Sequence, residues 1–163
     1  MYGIQRLGDS PEVRQLVAAL TPKVQQCREE LKPQAVSNAV YGMQRLGDSE
    51  EARRLLGELS LKVRKCSADF KAQHVSNALY GLQRLGDSRE VHEFVAAMAP
   101  KVHECREELK AQHVSNALYG LQCLGDSEEV RELVSNLTMK VQQCRDDFNS
   151  QAVGNSFYGI RRL

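Results

Sequence analysis

One period runs through the chain. Tyr2, Tyr41, Tyr80, Tyr119 and Tyr158 follow one another at steps of 39 residues, and Cys27, Cys66, Cys105 and Cys144 keep the same step. The stretch from Lys71 to Gln83 recurs unchanged from Lys110 to Gln122. Self-similarity at this length marks a stack of supersecondary units, each too small to bury its own apolar face without a neighbour. The period divides the chain into a lead-in, 1–7, and four full units, 8–46, 47–85, 86–124 and 125–163, with no linker or low-complexity segment between them. The lead-in is already inside the repeated motif. That predicts a segment of a longer protein, whose further repeats stack on this one.

Each unit reads as two helices. The first has an Asp followed three residues later by Glu, as in Asp9/Glu12, Asp48/Glu51, Asp87/Glu90 and Asp126/Glu129. This is capping-box spacing with Asp as the N-cap. Val13, Leu16, Val17, Leu20, Val24, Cys27 and Leu31 keep helical steps of three and four, which predicts a first helix over 10–32 with the cysteines on its apolar face. Pro22 and Pro100 fall inside it, where a kink or a break is expected; Leu61 and Met139 hold the matching positions. The second helix is predicted over 34–46, stopping at Gly47 as a C′ glycine. Gly42, Gly81, Gly120 and Gly159 fall in its middle. A mid-helix glycine costs roughly 1 kcal/mol against alanine, so its return in every unit points to a close helix–helix approach. The fold class expected is all-α: an α-solenoid of two-helix 39-residue repeats, with about nine helices counting the lead-in, and no strands.

Composition narrows the function. Hydrophobic residues make up 42% of the chain, enough for a core, and the formal net charge is +1, so nucleic-acid binding would have to rest on a local face. No apolar run reaches the length of a membrane span. The four periodic cysteines read as free, small core residues, which fits an intracellular or organelle-interior setting; Cys123, off that ladder, reads as an outward and reactive thiol. No Cys-x-x-Cys or Cys/His cluster suggests a metal. His74 and His113 open two of the second helices, but no nucleophile, base and orienting group recur together. The chain reads as a non-enzyme without cofactor or metal, whose work is binding.

The candidate binding surface lies opposite the apolar side of the second helix. At 100° per residue, Gln34, Asn38, Tyr41 and Arg45 line up there. The row returns as Gln73, Asn77, Tyr80, Arg84; as Gln112, Asn116, Tyr119 with Cys123; and as Gln151, Asn155, Tyr158, Arg162. Amides can read base edges, rings can stack bases and Arg can pair phosphate. The same Tyr and Asn could equally pack and hydrogen-bond between units. The row hardly varies, whereas a modular reader of RNA sequence needs variation from unit to unit.

The string from Ser37 to Gly47, Ser-Asn-Ala-Val-Tyr-Gly-Met-Gln-Arg-Leu-Gly, resembles the signature of the octotricopeptide repeat family. Those repeats are about 38 residues long and carry a motif like Leu-Ala-Asn-x-x-Trp-Ala-x-x-Lys-Leu-Gly. Asn38 matches its Asn, Tyr41 its Trp, Arg45 its basic residue and Gly47 its last Gly; Asn77/Tyr80/Arg84 and Asn155/Tyr158/Arg162 match likewise, and Cys123 breaks the match in the third unit. The unit here is one residue longer, and the family's Pro-Pro-x-Glu-Trp element is absent. The resemblance implies an α-solenoid binding single-stranded RNA in a mitochondrion or chloroplast, as part of a ribonucleoprotein. The other reading open at this stage is a protein–protein scaffold without nucleic-acid contact.

Overall fold

The structure, a computed structural model, describes residues 8–163; the lead-in 1–7, with the ninth helix expected there, lies outside the described residues. Eight helices and no strands are present among the described residues. Four are long: α1 Pro11–Gln26, α3 Glu50–Lys65, α5 Arg89–Glu104 and α7 Glu128–Gln143. Four are short: α2 Pro33–Gly42, α4 Ala72–Tyr80, α6 Ala111–Tyr119 and α8 Ser150–Gly159. Each helix packs on the one two places along the chain. The long helices therefore form one layer, α1–α3–α5–α7, and the short helices another, α2–α4–α6–α8. Leu55, Leu56, Leu59, Leu79, Leu82, Phe94 and Met98 are fully buried in the core. A buried side chain of this size contributes about 1.5–3 kcal/mol of transfer free energy.

The long helices begin one residue later than expected. Ser10, Ser49, Ser88 and Ser127 are the N-caps, and each hydroxyl accepts a hydrogen bond from the backbone N–H three residues on. The preceding Asp faces elsewhere. Asp9 takes Arg14 in two hydrogen bonds of 2.9 and 2.7 Å, and Asp126 takes Arg131 likewise. In the third unit His92 replaces the arginine, its Nε2 standing 2.6 Å from Asp87 Oδ1. The Arg14 hydrogen bond holds the Asp9 carboxyl below its usual value, and the Gly47 N–H adds to that. Serine wins the cap because the aspartate is held by a partner five residues ahead.

These helices also end sooner than the apolar series suggests. Cys27, Cys66, Cys105 and Cys144 are C-caps in extended conformation, not members of the helical apolar face. At three of these four ends a lysine of the next unit meets the chain. Lys62 Nζ donates to Cys27 O at 2.7 Å, Lys101 Nζ to Cys66 O at 2.9 Å and Lys140 Nζ to Cys105 O at 2.7 Å. An ammonium from the following long helix thus satisfies a helix-end carbonyl, a favourable placement for a cation at a helix C-terminus. Cys66 and Cys105 are buried, and burial pushes both thiols up; all five cysteines carry free thiols. The helices containing Pro22 and Pro100 run on through the proline without a break.

The short helices stop at the glycine, not four residues later. Beyond Gly42 the backbone tightens into i→i+3 bonds, Met43 N–H to Val40 O and Leu46 N–H to Met43 O. Gly47 is accordingly no helix C′ residue. The glycines are where two helices meet backbone to backbone: a Cβ on Gly81 would strike the Val40 carbonyl, one on Gly120 that of Leu79, and one on Gly159 that of Leu118. The close approach expected from the sequence is present at all three positions.

Candidate ligand-binding face

The outer edge of the short-helix layer carries the row expected from the sequence. Gln34, Gln73, Gln112 and Gln151 are exposed; Asn38, Asn77, Asn116 and Asn155 are half-buried. Arg45, Arg84 and Arg162 are exposed, and none of them enters an ion pair among the described residues. The arginines of the long-helix layer behave differently, since Arg14, Arg53 and Arg131 each hold an aspartate. Cys123, in the third arginine's place, is half-buried, and its Sγ donates to Gln83 O at 3.2 Å, so the thiol is turned toward the preceding unit.

The tyrosines form a column. Tyr41 stacks on Tyr80 and Tyr80 on Tyr119 with ring centroids 5.8 Å apart, and Tyr119 stacks on Tyr158 at 5.6 Å, with interplanar angles of 27°, 25° and 21°. The glycine contacts explain this closeness, because each tyrosine immediately precedes the glycine that brings its helix onto the neighbour. Offset stacking of this kind adds about 0.5–1.5 kcal/mol per pair. It also fills the slots between rings: successive tyrosines leave no gap for a base. The outer face of Tyr158 is covered by Arg161, whose guanidinium carbon lies 3.8 Å from the ring centroid.

Amides run beside the column. Gln34 Nε2 donates to Asn38 Oδ1 at 2.8 Å, and His74 Nε2 lies 3.3 Å from Gln34 Oε1, which links successive units. Between α6 and α8, Gln112, Asn116, Gln151 and Asn155 line a hollow of about 180 Å³. A wider hollow of about 600 Å³ lies at the N-terminal ends of the short helices, bordered by Lys32, Asp69, Lys71, His74, Glu107 and His113, so that acids and bases share its rim. The two histidines are N3 residues, and each Nδ1 accepts the backbone N–H of the capping lysine, Lys71 at 3.2 Å and Lys110 at 3.3 Å. Accepting that bond requires an unprotonated ring, and burial, followed by the neighbouring lysine, lowers the pKa of each.

The sequence reading assembled the Gln/Asn/Tyr/Arg row but missed the partners that border it. His74, His113 and the lysines at 32, 71 and 110 precede the row, and only stacking brings them to its edge. Among the described residues no group of His, Cys, Asp and Glu is arranged to hold a metal ion, and no helix is long and apolar enough to cross a membrane. Comparison with protein-family models, curated proteins and solved structures finds no match to this chain.

Proposed function

We propose that the chain is a segment of an α-solenoid of 39-residue two-helix units, non-catalytic, whose short-helix edge binds single-stranded RNA. The observation that carries this reading is the exposure of Arg45, Arg84 and Arg162, which enter no ion pair among the described residues, in the same units as the exposed Gln34, Gln73 and Gln151. In this arrangement the guanidinium groups pair phosphates and Gln and Asn meet base edges. The tyrosine column acts as a wall that sets the spacing of the row; its rings are engaged with one another and do not take a base between them. Weak sequence preference follows from the sameness of the row, and the unit with Cys123 contributes least. The family resemblance extends the reading to an organellar ribonucleoprotein.

The test is a titration of labelled single-stranded RNA at low salt. Binding is expected, and replacing Arg45, Arg84 and Arg162 with alanine is expected to weaken it for all sequences. Each phosphate contact on a single strand contributes about 0.7 to the salt slope, so losing three flattens the slope by about 2. A folded protein that binds no single strand under these conditions overturns the reading. A protein–protein scaffold is the second reading. It draws support from the formal net charge of +1 and from the ring faces already spent on one another.

A further inference from the structure

Just past the end of the long helix, three of the four units carry an arginine: Arg28, Arg106 and Arg145. The second unit has Ser67 in that place. At each junction an acid of the preceding unit meets this residue. Asp69 lies 3.9 Å from Arg106, and Glu108 accepts the Arg145 backbone N–H at 2.8 Å. At the first junction Glu30 takes Ser67 twice, the backbone N–H at 2.7 Å and the hydroxyl at 2.9 Å. The Ser67 hydroxyl is thus one strand of a staple between the first two units.

Ser67 is also placed to be modified. It is exposed and lies two residues beyond the end of α3, outside any helix. Arg64 and Lys65, both exposed, precede it by three and two residues. Ser135 and Ser150, the other exposed serines among the described residues, have no cation in the three residues before them. Charge pattern is one of the means by which a kinase discriminates its substrates, and an acidic peptide groove selects cations ahead of the serine. The last turn of a helix frays readily, which lets Arg64 and Lys65 lie in such a groove together with Ser67. We propose that Ser67 is a phosphorylation site for a serine kinase that recognises basic residues, and that its modification loosens the first unit from the second.

In the transfer, Ser67 Oγ bonds to the terminal phosphorus of a nucleoside triphosphate. The bond from that phosphorus to the bridging oxygen breaks, the nucleoside diphosphate leaves with the electron pair, and the hydroxyl proton is released. The product carries a charge of about −1.5 to −2 where a hydroxyl had donated to Glu30. A donor is replaced by acceptors, and like charges face one another. Lys62 and Lys101, which reach the neighbouring carbonyls, are engaged with Cys27 O and Cys66 O. The segment before α4 lies outside the Gln/Asn/Tyr/Arg row, so the proposal stands whatever that row binds.

The test treats the whole folded chain with the catalytic subunit of cyclic-AMP-dependent protein kinase and ATP, and reads intact mass and the modified residue by mass spectrometry. One added phosphoryl group on Ser67 is expected. Ser67→Ala should abolish it with unchanged circular dichroism, and Arg64→Ala with Lys65→Ala should slow it several-fold. The phosphorylated chain should unfold a few degrees lower than the unmodified one. That drop should shrink in Glu30→Gln, where the repelling charge is gone. A folded chain that takes no phosphate at Ser67 overturns the proposal, including the case in which a peptide of residues 61–70 is modified and the chain is not. An unfolding midpoint that phosphorylation leaves unchanged, or lowers equally in Glu30→Gln, overturns the loosening.

Discussion

A glycine can be a defect or a requirement within the same helix, and α8 contains one of each. Gly154 has open space where its Cβ would be, whereas Gly159 lies against the Leu118 carbonyl. Gly120 stands as Gly159 does, against Leu79, and there the obstacle is backbone, which cannot rotate away. Gly120→Ala is therefore expected to destabilise by about 1–3 kcal/mol, as the two helices are forced apart and the stacked Tyr80 and Tyr119 with them. Gly154→Ala is expected to stabilise by about 0.5–1 kcal/mol, because it removes backbone entropy from the unfolded chain and meets nothing in the folded one. Equilibrium urea denaturation of the two variants checks both; equal and opposite behaviour to that stated would mean that the close approach is not as described. The sequence already showed that the periodic glycine had a purpose, because a helix-weakening residue returned in every unit. It could not show that Gly154 lacks one, since nothing in a sequence distinguishes an empty space from a filled one.

At the level of the helix, α4 and α6 are capped from the unit that follows. The first N–H of α4, on Ala72, donates to Glu107 at 3.0 Å, and that of α6, on Ala111, donates to Asp146 at 3.3 Å. One unit back, α2 begins with Pro33, which has no N–H to give, and the position corresponding to Glu107 is Ala68. The acid is present where there is a donor to satisfy and absent where proline removes the donor. This makes a double-mutant cycle informative. Glu107→Ala alone is expected to cost about 0.5–2 kcal/mol, the usual range for losing a helix cap. In an Ala72→Pro background, where proline at the first helical position is tolerated, the same change is expected to cost nearly nothing. Additive effects in thermal denaturation would show that Glu107 acts through something other than the α4 terminus, such as its distant pairing with Lys71 at 3.9 Å.

For the whole molecule, helix caps and ion pairs make stability fall as the solution is acidified. His74 and His113 have folded-state pKa values below the ordinary 6.5, because burial disfavours the charged ring. The unfolded chain therefore takes up protons first as pH falls through about 6.5, and the stability these two histidines contribute is lost from there downward. Asp9, Asp126 and Glu30 are also lowered, by Arg14, by Arg131 and by the Ser67 backbone N–H respectively. Their contribution is present above the ordinary carboxylate value and fades at more acid pH. The midpoint of thermal unfolding is thus expected to fall in two stages on acidification, an earlier one near and below pH 6.5 and a later one in the carboxylate range. His74→Gln combined with His113→Gln should remove the earlier stage; a double variant that still shows it would place its origin elsewhere.

The sequence by itself determined what repeats and what is periodic. A 39-residue period, two apolar series in helical steps and a glycine in every unit were enough for an all-helical chain of paired helices, because those signals are local and add up along the chain. The row from Gln34 to Arg162 was legible for the same reason, since residues three and four apart on one helix share a face whatever surrounds them. Only the tertiary structure decided where the helices end and what the row presents. α1, α3 and α5 stop at cysteines whose carbonyls are held by a lysine 35 residues further on, and α4 and α6 are capped by an acid equally distant. The tyrosine faces were assigned in the same way: a ring that the wheel turns outward is met by the ring of the next unit, because glycine-to-carbonyl contact sets the helices close enough for the rings to stack. Each of these outcomes is a contact between units, and a periodic sequence states what every unit contains without stating how closely one unit lies upon the next.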